Sequence, residues 1–256
     1  MHGISTGTAV RIEHFEHSPV AVQEPLSSGN SLMDRFGPGI RSELLERGNV
    51  AEVQRGEVIT SPGEKAAFVD FPLDAVISHY RILMDGRTAE VAMTGNEGAV
   101  GASTALGNGF SGEFSEVIVP GKIVRVGSDI FKDVSESSME LSKTVFTYLN
   151  EHLERISRRV ICSNYHSVEE RLALWLLLVR DRCNADELAF TQEQVSFFLG
   201  VHRPSVTLAM QELRELGVVD YRRGKIILRD LQRLRQVSCS CYPSLSVGEP
   251  EQAFAY

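Results

Sequence analysis

Apolar positions along this chain change their spacing twice. Between residues 50 and 130 they fall in short runs: Val58-Ile59, Ala75-Val76-Ile77, Arg81-Ile82-Leu83-Met84, Glu90-Val91-Ala92-Met93, Glu116-Val117-Ile118-Val119 and Ile123-Val124-Arg125-Val126. Breakers part them at Gly56, Pro62-Gly63, Asp85-Gly86, Gly95, Gly107, Gly109 and Pro120-Gly121. Short strands with closely spaced turn signals predict an antiparallel sandwich or roll. From residue 136 to 161 the period lengthens. Leu141, Val145, Tyr148, Leu149, His152, Ile156 and Val160 recur every three or four residues, the spacing of one helix face. That stripe is longer than one small roll would cover. A weaker helical pattern around Ile40, Leu44 and Leu45 precedes the strands.

The second change comes at Thr191. Thr191 and Gln194 have capping-box spacing, and Val195, Phe198 and Leu199 form an apolar stripe. Gly200 ends that helix where a left-handed backbone is wanted. Val201 occupies the turn, and His202-Arg203-Pro204 opens the next helix, where proline costs no intrahelical bond. Val206, Met210, Leu213 and Leu216 form its buried face. Val218 to Tyr221 and Ile226 to Leu228 then read as two strands around Arg222-Arg223-Gly224-Lys225. Helix, turn, helix and basic hairpin make a winged helix-turn-helix. Such a motif lays the N-terminal part of its second helix against base edges in the major groove. Arg203 stands there and is suited to guanine O6 and N7. The hairpin cations suit phosphate contacts, which position without specifying.

These residues carry a family resemblance. The run from His166 to Leu177, His-Ser-Val-Glu-Glu-Arg-Leu-Ala-Leu-Trp-Leu-Leu, followed by the helix-turn-helix and wing, resembles the Crp/Fnr family of bacterial regulators. Gln54 to Ile59 and Pro62-Gly63-Glu64 are similar to the opening strands of the cyclic-nucleotide-binding fold. The resemblance covers about residues 30 to 235. It implies an α+β chain: a cyclic-nucleotide-binding-like antiparallel β-roll, a long dimer helix and a C-terminal winged helix-turn-helix. It implies double-stranded DNA carrying an inverted repeat as the partner of a homodimer, with RNA polymerase and an unidentified small-molecule effector as further partners. DNA contact is expected at Thr191, Gln192, His202, Arg203, Ser205, Thr207, Arg222, Arg223 and Lys225. One departure matters: many members place glutamate after the recognition arginine, whereas this chain has Pro204. Proline cannot accept from cytosine N4, so the half-site is expected to differ.

The resemblance also bears on the signal. Nucleotide-binding members have a glycine-glutamate pair at the ribose and an arginine at the cyclic phosphate. Here Gly98-Ala99 stands at the first position and Phe114-Ser115-Glu116 at the second. A phosphate needs a cation or converging N–H donors, which phenylalanine cannot supply and Glu116 would oppose. Cyclic AMP is therefore not expected to bind, and no residue names another ligand.

Composition adds softer limits. The 256 residues suffice for two modest domains. No apolar run reaches membrane-spanning length and no secretory pattern opens the chain, so a cytoplasmic protein without membrane contact is expected. The net charge of −8 argues against nucleic acid until it is divided along the chain. Residues 1–135 hold 11 Lys/Arg against 18 Asp/Glu, whereas residues 163–235 hold 11 against 10. Cys162, Cys183, Cys239 and Cys241 show neither a disulfide framework nor zinc-ligand spacing, and no metal or cofactor is assigned. Cys239-Ser240-Cys241 reads as a close pair of reduced thiols in a tail, with redox activity or a soft metal as the alternative. No nucleophile elbow, Walker loop, metal-binding His/Glu motif or dinucleotide fingerprint points to an enzyme. The expected segments are a flexible tail (1–28), the roll (29–135), the dimer helix (136–162), the DNA-binding domain (163–235) and a C-terminal tail (236–256). A dimeric ligand- or partner-binding module that has lost DNA binding is the alternative reading.

Overall fold

The computed structural model describes residues 27–246. Helices α1 (Ser31–Asp34) and α2 (Pro38–Arg47) lead into β1 (Asn49–Val53), β2 (Val58–Thr60), β3 (Phe68–Pro72), β4 (Val76–Ile82) and β5 (Thr88–Thr94). A short α3 (Ala102–Leu106) precedes β6 (Phe114–Val119) and β7 (Gly121–Gly127). There follow α4 (Ser128–Ser137), α5 (Met139–Tyr165), α6 (Val168–Cys183), β8 (Glu187–Leu188), α7 (Gln192–Leu199) and α8 (Arg203–Glu215). The described chain closes with β9 (Val219–Arg222), β10 (Lys225–Leu228), α9 (Leu231–Val237) and α10 (Tyr242–Leu245). No helix among the described residues is long and apolar enough to cross a membrane.

The N-terminal strands form two antiparallel sheets, ordered β1-β7-β3 and β2-β6-β4-β5. This is the expected roll. Alternation along the strands turns Val53, Ile77, Val117 and Ile123 inward, where with Ala75 and Val100 they fill the space between the sheets. β1 and β3 were not legible as strands because polar residues break their apolar runs. Both are held by β7: Asp70 lies opposite Arg125, and the pair makes two hydrogen bonds of 2.8 and 2.9 Å. On the outer face of β3 and β7, Phe36, Phe71 and Phe131 pack with ring centroids about 6 Å apart. The first turns of α5 complete that core with Leu141, Val145 and Tyr148.

The long helix expected over 136–161 is α5, which starts at Met139 and runs on to Tyr165, residues 136 and 137 closing α4. Ser138 is extended, and its hydroxyl accepts from Leu141 N, so it caps α5 and separates it from α4. The apolar stripe read from the sequence also needs correction. Leu141, Val145 and Tyr148 are buried against the roll and are not free to meet a second chain. The face of α5 turned to solvent instead carries Met139, Phe146, Leu153 and Val160, which are 71%, 65%, 61% and 56% exposed. These four are spaced by seven residues, a coiled-coil repeat.

The C-terminal domain packs around Trp175, which stacks on Phe198 and meets Phe190 edge-on, in a core that also takes in Val76, Met93 and Ile118 of the roll. Capping boxes at Ser167/Glu170 and Thr191/Gln194 start α6 and α7. The expected tail from residue 236 is folded as far as residue 246. Cys239, Tyr242 and Leu245 are buried, and Tyr242 donates to Asp181 at 2.9 Å. Most of the other expected tail, at 1–28, and residues 247–256 lie outside the described residues.

One carboxylate joins roll, long helix and C-terminal domain. Glu90 of β5 has a fully buried side chain. Its Oε1 accepts from Arg159 of α5 at 2.8 Å and from Trp175 Nε1 of α6 at 3.2 Å, and its Oε2 accepts from Ser78 at 2.7 Å. Burial pushes its pKa up, opposed by Arg159 and then by these hydrogen bonds. Removing one member of a buried pair strands the other. Glu90→Gln is therefore expected to lower stability by about 3–5 kcal/mol, read as the midpoint of urea unfolding.

Candidate nucleic-acid interface and sensor cavity

The reading helix begins where the sequence places it. Gly200 is left-handed (φ +64°) and caps α7, and a Cβ there would come within 2.9 Å of Ala89 in the roll. A side chain at this position is thus opposed by both conformation and space. His202 caps α8 without a side-chain hydrogen bond, and Pro204 lies in the first turn. Val206, Ala209, Met210 and Leu213 face the domain core, leaving Arg203, Thr207 and Leu208 exposed and Ser205 half-buried. Thr207 Oγ1 donates to Gln192 Oε1 at 2.8 Å, which joins the starts of the two helices. Thr191 is exposed, its hydroxyl accepting from Gln194 N at 3.2 Å.

The wing is a two-residue hairpin. Arg223 and Gly224 both have positive φ (50° and 77°), the pattern of a type I′ turn. Gly224 packs beside Thr191, so the wing tip abuts the start of α7. β10 pairs with β9 on one side and β8 on the other. The strand β8 was missed because two residues carry no readable period. All nine expected contact residues therefore belong to one surface region. The cations there are partly answered by acids. Arg203 lies 3.7 Å from Glu193, Arg222 3.0 Å from Asp220, and Lys225 pairs with Glu187. Among the described residues, Arg223 has no such partner.

The second site is the interior of the roll beneath α5. A cavity of about 50 Å³ is lined by Thr60, His79, Thr94, Ala99, Gly101, Ser103, Glu113, Ser115, Tyr148 and His152, among others. His79 occupies its wall. Its Nδ1 lies 3.0 Å from Ser115 Oγ and 3.3 Å from Glu113, and its Nε2 lies 2.8 Å from Thr94 Oγ1. Thr60 donates to Ser115 at 2.8 Å. Tyr148 hydroxyl donates to Ala99 O and accepts from Ala99 N, both at 3.1 Å. Burial raises the Glu113 pKa, but the hydrogen bond and charge of His79 outweigh it and leave the carboxyl below its usual range. The acid facing the cavity is thus Glu113, whereas the sequence pointed to Glu116. Strand alternation sends Phe114 and Glu116 away from the cavity, where Phe114 stacks on Tyr80 and Glu116 accepts from the Tyr80 hydroxyl at 3.0 Å. The only sequence signal for this network was a lone Ser78-His79 pair inside an apolar strand.

The cysteines also differ from expectation. Cys239 and Cys241 are carried back onto the end of α5, where they meet Cys162 and His166. The hydrogen bond to Cys162, with burial, pushes the Cys239 thiol up to about 11.

Residues 170–237 match the sequence model of the Crp-like helix-turn-helix domain. No curated protein matches the chain. Among solved structures the chain is similar to FixK2 of Bradyrhizobium japonicum, at 19% identity and a TM-score of 0.63 over 75% of this chain and 98% of that one. It is similar to a CRP-family transcriptional regulator of Thermus thermophilus, at 18% identity and a TM-score of 0.62 over 73% and 96%. The c-di-GMP-responsive global regulator CLP of Xanthomonas campestris gives 13% identity and a TM-score of 0.62 over 76% and 100%. The fold is therefore that of these proteins, and the C-terminal domain is Crp-like.

His152 yields a prediction. Burial, then His79 and Arg155, push its imidazole pKa down to about 4, so it is neutral at pH 7. The unfolded chain, with a pKa near ~6.5, binds this proton between about pH 6.5 and 4 while the folded chain does not. The stability is fully present above that window and is lost as pH falls through it, by at most about 3 kcal/mol. Urea unfolding at pH 7.5 and 4.5 should show the loss, and His152→Gln should reduce it.

Proposed function

We propose that this chain, a Crp/Fnr-type transcription regulator by its fold and its Crp-like helix-turn-helix, binds an inverted-repeat DNA site as a homodimer. Its roll does not take up cyclic AMP. The observation that carries the DNA reading is the contiguous exposed surface formed by the start of α8, the start of α7 and the wing tip. Arg203, Ser205 and Thr207 face the bases, with His202 at the edge of the groove. Thr191, Gln192, Arg222, Arg223 and Lys225 position the domain on phosphates. Binding releases Arg203 from Glu193 and Lys225 from Glu187. Both pairs are exposed and worth at most about 1 kcal/mol, less than a bidentate base contact returns.

Dimerisation uses the outward face of α5. Met139, Phe146, Leu153 and Val160 leave an apolar row along some six turns of helix, and a second copy covers it by knobs-into-holes packing. A two-fold axis along that row sets two reading helices about one DNA turn, ~34 Å, apart.

Three features support the exclusion of cyclic AMP. The cavity is far below the ~300 Å³ at which ligand sites begin. No lysine or arginine lines it among the described residues, and Glu113 opposes a phosphate there. His79, Thr60, Thr94 and Ser115 already satisfy one another.

Arg203→Ala should weaken binding to a footprinted site roughly 5- to 150-fold and relax discrimination at one base pair. Arg223→Ala should weaken all sequences alike and reduce the slope of log affinity against log salt by about 0.9. Diffuse binding that ignores Arg203→Ala would sink the reading. Phe146→Asp combined with Leu153→Asp should give monomers by sedimentation with an unchanged circular dichroism spectrum. A dimer surviving both changes would place the seam elsewhere.

A further inference from the structure

Four metal-ligating side chains converge where the long helix hands over to the C-terminal domain. Cys162 lies in the last turn of α5, and His166 caps that helix four residues later, on the same face. Cys239 and Cys241 lie in the turn between α9 and α10. Their ligand atoms all fall within 4.8 Å of one another. Cys162 Sγ is 3.5 Å from Cys239 Sγ, and Cys241 Sγ is 3.7 Å from His166 Nδ1. These are free thiols, well beyond the ~2.05 Å of a disulfide. A tetrahedral zinc ion with Zn–S near ~2.3 Å and Zn–N near ~2.05 Å has S···S edges of about 3.8 Å and S···N edges of about 3.6 Å. The observed separations are close to those edges.

We propose that Cys162, His166, Cys239 and Cys241 form a Cys3His site for Zn2+. The chemistry selects the ion: three thiolates and an imidazole suit zinc and disfavour magnesium or calcium. Binding displaces three thiol protons to solvent and leaves neutral His166 as the fourth ligand, for a net site charge of −1. Arg159 and Arg171 line a cavity shared with Cys162 and oppose that charge. Cys162 and Cys239 are buried while His166 and Cys241 are half-buried, so the cluster is enclosed on one side and open to ion entry on the other. All four positions are filled by protein, which marks a structural site with no open coordination position. The bound ion ties α9 and α10 to the end of α5, across the junction at Ser167 where α6 begins. It therefore fixes the angle between the long helix and the DNA-binding domain.

The test uses the full chain, reduced, with Co2+ as probe. One Co2+ per chain should bind with thiolate-to-cobalt charge-transfer absorption and the intense visible bands of a tetrahedral site, and Zn2+ should displace it. Cys239→Ser and Cys241→Ser should each weaken Co2+ uptake more than tenfold, and His166→Gln should shift the visible bands. Cys183→Ser, outside the cluster, should leave them unchanged. Saturating Zn2+ should raise Tm by at least about 5 °C. Circular dichroism confirms that each variant is folded. A folded, reduced chain without a tetrahedral cobalt spectrum overturns the proposal. So does a spectrum unaltered by Cys239→Ser, or a Cys162–Cys239 disulfide whose reduction restores no metal uptake. These readouts need no DNA, so they stand or fall separately from the DNA-binding reading.

Discussion

The buried carboxylate of Glu90 is the constraint on which the arrangement of the three parts depends. An unpaired charge at full burial is prohibitively costly. Glu90 therefore requires Arg159 from the long helix and is joined by Trp175 from the C-terminal domain. Each donor comes from a different part of the chain, so the carboxylate is satisfied only when roll, helix and domain are mutually in place. A second buried pair works in the same direction. Arg182 of α6 donates to Glu97, just beyond β5, at 2.8 Å, and Gly95 packs against the stem of that arginine. Around these polar pins lie Tyr80 against Phe197 and Arg55 over Phe190.

The desolvation of two buried charges offsets much of their attraction, so pins of this kind add little net stability, while breaking one strands its partner. An apolar contact tolerates sliding, whereas a shared Oε1 with two donors does not. A reorientation of the DNA-binding domain has to exchange the Trp175 and Arg182 bonds for others. Any ligand or ion acts on this equilibrium only through a difference in affinity between the arrangements.

Much of this was legible in the sequence. Gly200, the Thr191/Gln194 box and the Arg223-Gly224 turn are local devices, and local devices survive in a single sequence. The strands marked by glycine and proline were likewise found. Features set by tertiary contact were not. The alternation of β6 hid which acid faces the cavity, since Glu113 and Glu116 lie on opposite sides of a short strand preceded by a turn. The inward and outward faces of α5 were confused because both carry apolar residues at helical spacing, and only contact with the roll tells them apart. The cysteine cluster joins residues 77 apart in sequence, a juxtaposition that spacing rules do not reach.

The two apolar rows on α5 have a mechanical implication. The inner row, Leu141, Val145 and Tyr148, is keyed to the roll, and Tyr148 holds the Ala99 backbone at the edge of the cavity. The outer row is cut into the same rod about a third of a circumference away. A turn of the rod about its own axis would displace both rows together. Such a turn would also carry Arg159, on the same helix, away from the buried Glu90 carboxylate, so the ion pair that joins the three parts of the chain is what holds both rows in register.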